Sequence, residues 1–114
     1  MDLQAIDCND IKIFVFEGRL DIGRCTEVET ELYRAIDCGN VKLILDLAKI
    51  DCLSSSGLRI FISVLRKLKE TKGRLGICNI PPHVFKIFKV VDLDKVFEIY
   101  DSTDQAIACF QSSA

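Results

Sequence analysis

The residues with the most chemical promise lie together in Ile50-Asp51-Cys52-Leu53-Ser54-Ser55-Ser56-Gly57-Leu58. Three hydroxyls stand side by side, after an apolar run at 41–47 (VKLILDL) and before a helical stripe of Leu58, Phe61, Ile62, Leu65 and Leu68. A junction between a buried strand and an amphipathic helix puts the serines at the helix N-terminus. Unpaired N–H groups and the positive end of the helix dipole favour an anion there. A serine in this place can cap the helix, and a phosphoryl group of roughly −1.5 to −2 charges would be accommodated without melting the first turn. Residue types alone leave two readings open: a serine-rich N-cap with Gly57 in the first turn, and a phosphorylation site.

Enzymatic chemistry finds little to work with. The chain has no G-x-x-x-x-G-K-[ST] phosphate loop and no G-x-S-x-G elbow. Cys52 and Arg59 are seven apart, which fails the C-x5-R spacing of a cysteine phosphatase. A receiver-type phosphoaspartate domain needs paired acidic residues after its first strand to hold magnesium. Here Asn9-Asp10 read as a hairpin turn, and Asp46 falls inside a strand. His83, the one histidine, follows Pro82 in a polar loop and reads as a surface imidazole. We therefore expect no enzyme, no metal and no cofactor.

The six cysteines, at 8, 25, 38, 52, 78 and 109, are far apart and form no C-x-x-C pair. Zinc wants closely spaced ligand pairs, so the expectation is reduced thiols acting as small hydrophobes inside apolar runs. Fifteen Lys and Arg against 17 Asp and Glu leave a net charge of −2, which argues against a nucleic-acid module. No apolar run approaches the roughly 20 residues of a bilayer crossing. Met1-Asp2-Leu3-Gln4 has no signal-peptide character. A cytoplasmic location away from membranes is expected.

The elements that must position the serines can be read from periodicity. A strand over 11–16, ending at Gly18, pairs with 3–7 across Cys8-Asn9-Asp10. Cys25, Val28, Leu32 and Ile36 mark an amphipathic helix near 23–36 that stops at Cys38-Gly39-Asn40. The strand at 41–47 is covered on both faces, and the serine-led helix stops at Lys72-Gly73. A strand over 74–78, a helix opened by Pro81-Pro82 and running to about Val91, a strand over 96–100 and a helix from Asp101-Ser102-Thr103 complete the chain. Val84, Phe85, Phe88 and Val91 have the spacing of a core-facing stripe. The order is ββαβαβαβα, an α/β fold with a mixed, mostly parallel sheet, expected as a single domain over 1–114.

At the serines the chain resembles the STAS-domain proteins of the anti-sigma factor antagonist (anti-anti-sigma factor) family. The resemblance runs through Gly18-Arg19-Leu20-Asp21, Leu45-Asp46-Leu47, Ser55-Ser56-Gly57-Leu58, Gly73, Asn79, Asp92-Leu93 and Val96-Phe97. The family's phosphorylation motif reads D-S-S-G-L with the first serine as acceptor. By position that acceptor is Ser55, with Ser54 standing where the family has aspartate and Ser54 or Ser56 as competing acceptors. The resemblance implies a bacterial, non-enzymatic regulator of transcription. It would bind an anti-sigma factor with a serine kinase fold, release a sigma factor, lose that partner on phosphorylation of Ser55, and be restored by a serine phosphatase. The partner surface it implies comprises Asp21, Ile22, Ser54, Ser55, Ser56 and Arg59. Asp21 also reads as a residue at the start of the first helix, and Arg59 as a solvated cation. The Ser54 departure keeps an alternative open, a STAS interaction module or scaffold subunit that is not a kinase substrate.

Overall fold

Asn9 sets the first pairing by taking a left-handed φ of 57°, a conformation that asparagine tolerates better than most residues. In the computed structural model, which describes residues 2–21 and 23–112, β1 (Asp2–Cys8) folds back antiparallel on β2 (Ile11–Leu20). Then follow α1 (Cys25–Asp37), β3 (Lys42–Leu53), α2 (Ser55–Glu70), β4 (Arg74–Cys78), α3 (Pro82–Val90), β5 (Glu98–Tyr100) and α4 (Thr103–Ser112). A 3-10 turn at Leu93–Lys95 precedes β5. The expected ββαβαβαβα order is present.

The five strands lie in the order β1-β2-β3-β4-β5, with β2 to β5 parallel. Each crossover joins neighbouring strands, and right-handed connections then stack α1, α2 and α3 on one face. Leu43, Leu45 and Leu47 of β3 point into that layer among Leu32, Phe61 and Phe88. Ile44 points the other way, to a smaller cluster with Ile11, Ile13, Cys78, Ala106 and Phe110 under α4. The central strand is thus apolar on both faces because both are covered.

Several boundaries depart from expectation. β2 does not end at Gly18 but runs through it to Leu20. Gly18 adopts φ 101°, and the register against β3 shifts on either side of it, so glycine at a bulge lets the strand bend and continue. β3 extends to Leu53 rather than stopping at Leu47, because Glu17 to Leu20 keep pairing with it after β4 has left at Asp46. On α2 the buried stripe is Leu58, Ile60, Phe61, Val64 and Leu68, while Ile62 and Leu65 are half-buried toward neighbouring elements.

Gly73 is not the left-handed stop of α2. Lys72 takes that conformation at φ 59°, and Gly73 is needed because an added Cβ would lie 2.4 Å from the Val41 carbonyl oxygen. Val84 and Phe88 are buried and Phe85 packs at the core edge, but Val91 is 51% exposed. The helix ends at Val90, so Val91 leaves the helical period and turns outward. Cys78 is buried, Cys38 is exposed and the other four cysteines are half-buried, so the small-hydrophobe role fits Cys78 best. Among the described residues no helix is long and apolar enough to cross a membrane.

Candidate functional site

The extended β2–β3 pair delivers the serines. Leu20 lies opposite Leu53 at the end of the ribbon, and the Ser54 N–H donates to the Leu20 carbonyl at 3.1 Å. Ser54 has extended backbone, φ −82° and ψ 167°, and its Oγ accepts from the Gly57 N–H at 3.2 Å. It is therefore the N-cap of α2, in the geometry that serine serves well. An added Cβ on Gly57 would lie 2.6 Å from Leu53 Cδ1 and 3.1 Å from Leu20. Glycine thus lets the first turn of α2 sit directly on the strand ends.

The three hydroxyls are unequal. Ser54 is half-buried and committed to the cap, and Ser56 is half-buried, while Ser55 is exposed as the first helical residue. The first turn of α2 holds no acidic side chain, so no carboxylate in that turn opposes an anion at the positive end of the helix.

Asp21 leaves β2 beside this cap, and its carboxylate Oδ1 accepts from the Gly23 N–H at 3.1 Å. Its carbonyl accepts from the Arg24 N–H at 3.1 Å and from the Cys25 thiol at 3.0 Å. Asp21 therefore shapes the start of α1 as well as standing at the site. Ile22 lies outside the described residues. Arg59 is exposed one turn into α2 and lines a groove with Tyr33 of α1 and with Ile62, Ser63 and Arg66 of its own helix. Across that groove the Tyr33 hydroxyl hydrogen-bonds Ser63 Oγ, and Lys67 reaches Asp37 at 3.0 Å.

Cys25 is the residue that sequence reasoning missed. Its thiol touches both the Asp21 carbonyl and the Ser54 side chain, and burial raises its pKa above the ordinary thiol value. It thus joins the two loops of the site as a neutral thiol. The available signal was its place four residues after Asp21, where a helix-start side chain turns back on the preceding loop. His83, exposed as expected, bonds through Nε2 to the Asp51 carbonyl at 2.8 Å and so braces the strand end just before the serines.

Asp46 and Asn79 do structural work elsewhere. Asp46 accepts from the Ala48 N–H and Asn79 Nδ2, both at 3.0 Å, and from Thr103 Oγ1 at 3.3 Å. That network fastens the start of α4 to β3 and β4. Among the described residues no group of three His, Cys, Asp or Glu side chains could hold a metal ion.

The sequence profile of the STAS domain matches residues 3–106. BtrV of Bordetella bronchiseptica, provisionally named an anti-sigma factor antagonist, is 30% identical over 113 residues, covering 99% of this chain and 97% of BtrV. An anti-sigma factor antagonist from Mycobacterium paratuberculosis superposes with a TM-score of 0.89 at 22% identity, covering 97% of this chain and 94% of that one. The anti-sigma factor antagonist SpoIIAA, in its unphosphorylated form, superposes with a TM-score of 0.80 at 20% identity, covering 97% and 99%.

Proposed function

The chain belongs to the STAS domain family, and from that premise we propose that it is an anti-sigma factor antagonist switched by phosphorylation of Ser55. Unmodified, it binds an anti-sigma factor with serine kinase activity and so frees a sigma factor. The kinase then directs Ser55 Oγ onto the γ-phosphorus of ATP. The new O–P bond forms as the bond to the β-phosphate oxygen breaks, ADP leaves, and the serine proton passes to a kinase base. A serine phosphatase reverses the step. The role is regulatory rather than catalytic, carried by one STAS unit in the cytoplasm without contact to nucleic acid.

The observation that carries this reading is the inequality of the three serines. Only Ser55 offers an exposed hydroxyl, while Ser54 is held by its cap to Gly57. A phosphate there turns a neutral contact into a dianion at the partner surface of Asp21, Ile22, Ser54, Ser56 and Arg59. Weakening binding a hundredfold takes only about 2.7 kcal/mol, so no change of fold is required.

The Ser54 hydroxyl in place of the family's aspartate favours a second reading, a STAS module or scaffold subunit that the kinase does not modify. Phosphopeptide mass spectrometry after incubation with ATP and the anti-sigma kinase of the same genome decides between them. One phosphate on Ser55 is expected. Tight binding with no phosphate would replace the switch with the constitutive module.

A further inference from the structure

Ser55 and Arg59 stand four residues apart on α2, and both are exposed. Helical residues at this spacing share a face and lie about 6 Å apart along the axis. Side chains on a helix lean toward its N-terminus, so a long side chain at 59 covers the turn that carries 55. Six basic residues have carboxylate partners, among them Arg24 with Glu27, Arg34 with Glu31, Lys67 with Asp37 and Arg74 with Glu98, while others, Arg66 included, have none among the described residues. Among the described residues Arg59 has no ion pair or hydrogen bond.

No carboxylate lies within ion-pair distance of it among the described residues, and the carboxylate that faces it from α1 is Glu29, one turn before Tyr33 and near enough to act on Cys25. The groups around its groove are Tyr33 on α1 and Arg66, Lys67 and Glu70 on α2. Glu70 is about three turns further along the helix. On the Ser54 side lie Asp21, whose carboxylate is held by the Gly23 N–H, and Cys25, a neutral thiol. A guanidinium with five donors and no ion-pair partner among the described residues is thus left one turn from the hydroxyl that receives the phosphate.

We propose that Arg59 holds the phosphate on Ser55, forming an intrahelical ion pair that exists only in the modified protein. This rests on the reading of Ser55 as acceptor and adds a second consequence to its modification. The unmodified surface offers a partner two adjacent groups, a hydroxyl and a free guanidinium. The phosphate draws the guanidinium onto itself through charge-assisted hydrogen bonds. One modification thereby alters both contacts.

The test is a phosphorus NMR titration of the full chain with phosphoserine installed at position 55 during synthesis. The second pKa of the phosphate, near 6 for a free phosphoserine, should lie about 0.15–0.4 unit lower in the otherwise unaltered chain than in Arg59→Gln, as suits one helical ion pair. Arg59→Lys should recover part of the drop, and Arg66→Gln, about three turns away from Ser55, should leave it intact. Equal pKa values with and without Arg59 would overturn the proposal, as would an equal loss from Arg66→Gln. No kinase enters this experiment. A kinase that modifies another serine would sink the Ser55 assignment while this titration stands or falls by itself.

Discussion

The Ser54 hydroxyl accepts the Gly57 N–H at 3.2 Å, so this serine caps α2 at the position where the motif D-S-S-G-L has aspartate. Serine and aspartate are both favoured N-caps, so serine at this position supplies a capping oxygen without a charge. Because the cap holds Ser54 half-buried, it also separates the roles of two adjacent hydroxyls, one structural and one available.

Ser54→Ala should therefore destabilise the fold by about 1 kcal/mol, the usual cost of losing an N-cap. Ser54→Asp should be neutral or stabilising by about 0.3–1 kcal/mol, since a carboxylate caps equally well and suits the dipole. Urea unfolding midpoints compare the variants directly. Equal stability of the alanine and serine forms would show that the cap contributes nothing.

Ser55→Asp should weaken binding to the anti-sigma factor by at least about tenfold, equivalent to about 1.4 kcal/mol. Ser55→Ala should bind like the parent chain and remain unphosphorylated. Isothermal titration with the purified partner measures both. An aspartate variant of undiminished affinity would rule out charge as the switch.

A pH effect should arise far from the site, between β4 and β5. Arg74 hydrogen-bonds Glu98 through two nitrogens and lies over the Phe110 ring, 4.4 Å from its centroid. The Arg74 guanidinium, assisted by the Tyr100 hydroxyl and opposed by burial, holds the Glu98 carboxyl below its ordinary 4.5. A depressed folded-state pKa means that the stabilisation is complete above the unfolded value and is lost as pH falls through the folded one. The stability difference between the parent chain and Glu98→Gln should thus be constant near neutrality and shrink once the pH drops below about 4.5. A difference that does not change with pH would show that the charge of Glu98 is irrelevant.

Thiol reactivity should follow burial. Cys38 is exposed and should react first with a thiol reagent. Cys78 is buried, its thiol is pushed up by burial to about 11, and it contacts Thr103 Oγ1 at 3.4 Å, so it should react last. Denatured protein should titrate all six thiols. Fast labelling of Cys78 in the native chain would mean that α4 opens readily from the sheet.

Much of this was legible in the sequence because the relevant forces are local. The Asn9-Asp10 turn, the apolar periodicity of α1 and α2, Pro82 at the start of α3 and the serine at the α2 N-cap all depend on neighbours within about one turn. Element order and the position of the candidate site followed from them. The resemblance to the family then assigned Ser55 a role that capping alone left open.

Where the strands end was decided by their partners. β2 passes Gly18 and β3 passes Leu47 because each has the other to bond with, and no local pattern announces a pairing between residues some thirty positions apart. That extension brings Leu20 to the Ser54 N–H and Asp21 to the cap. The same long-range packing turns the Cys25 thiol toward both loops, faces Ile62 to the α1–α2 groove and leaves Val91 outside. The sequence by itself determined that a serine-led helix follows a buried strand. Only the tertiary structure decided which serine is free, because exposure is set by what the rest of the chain packs against.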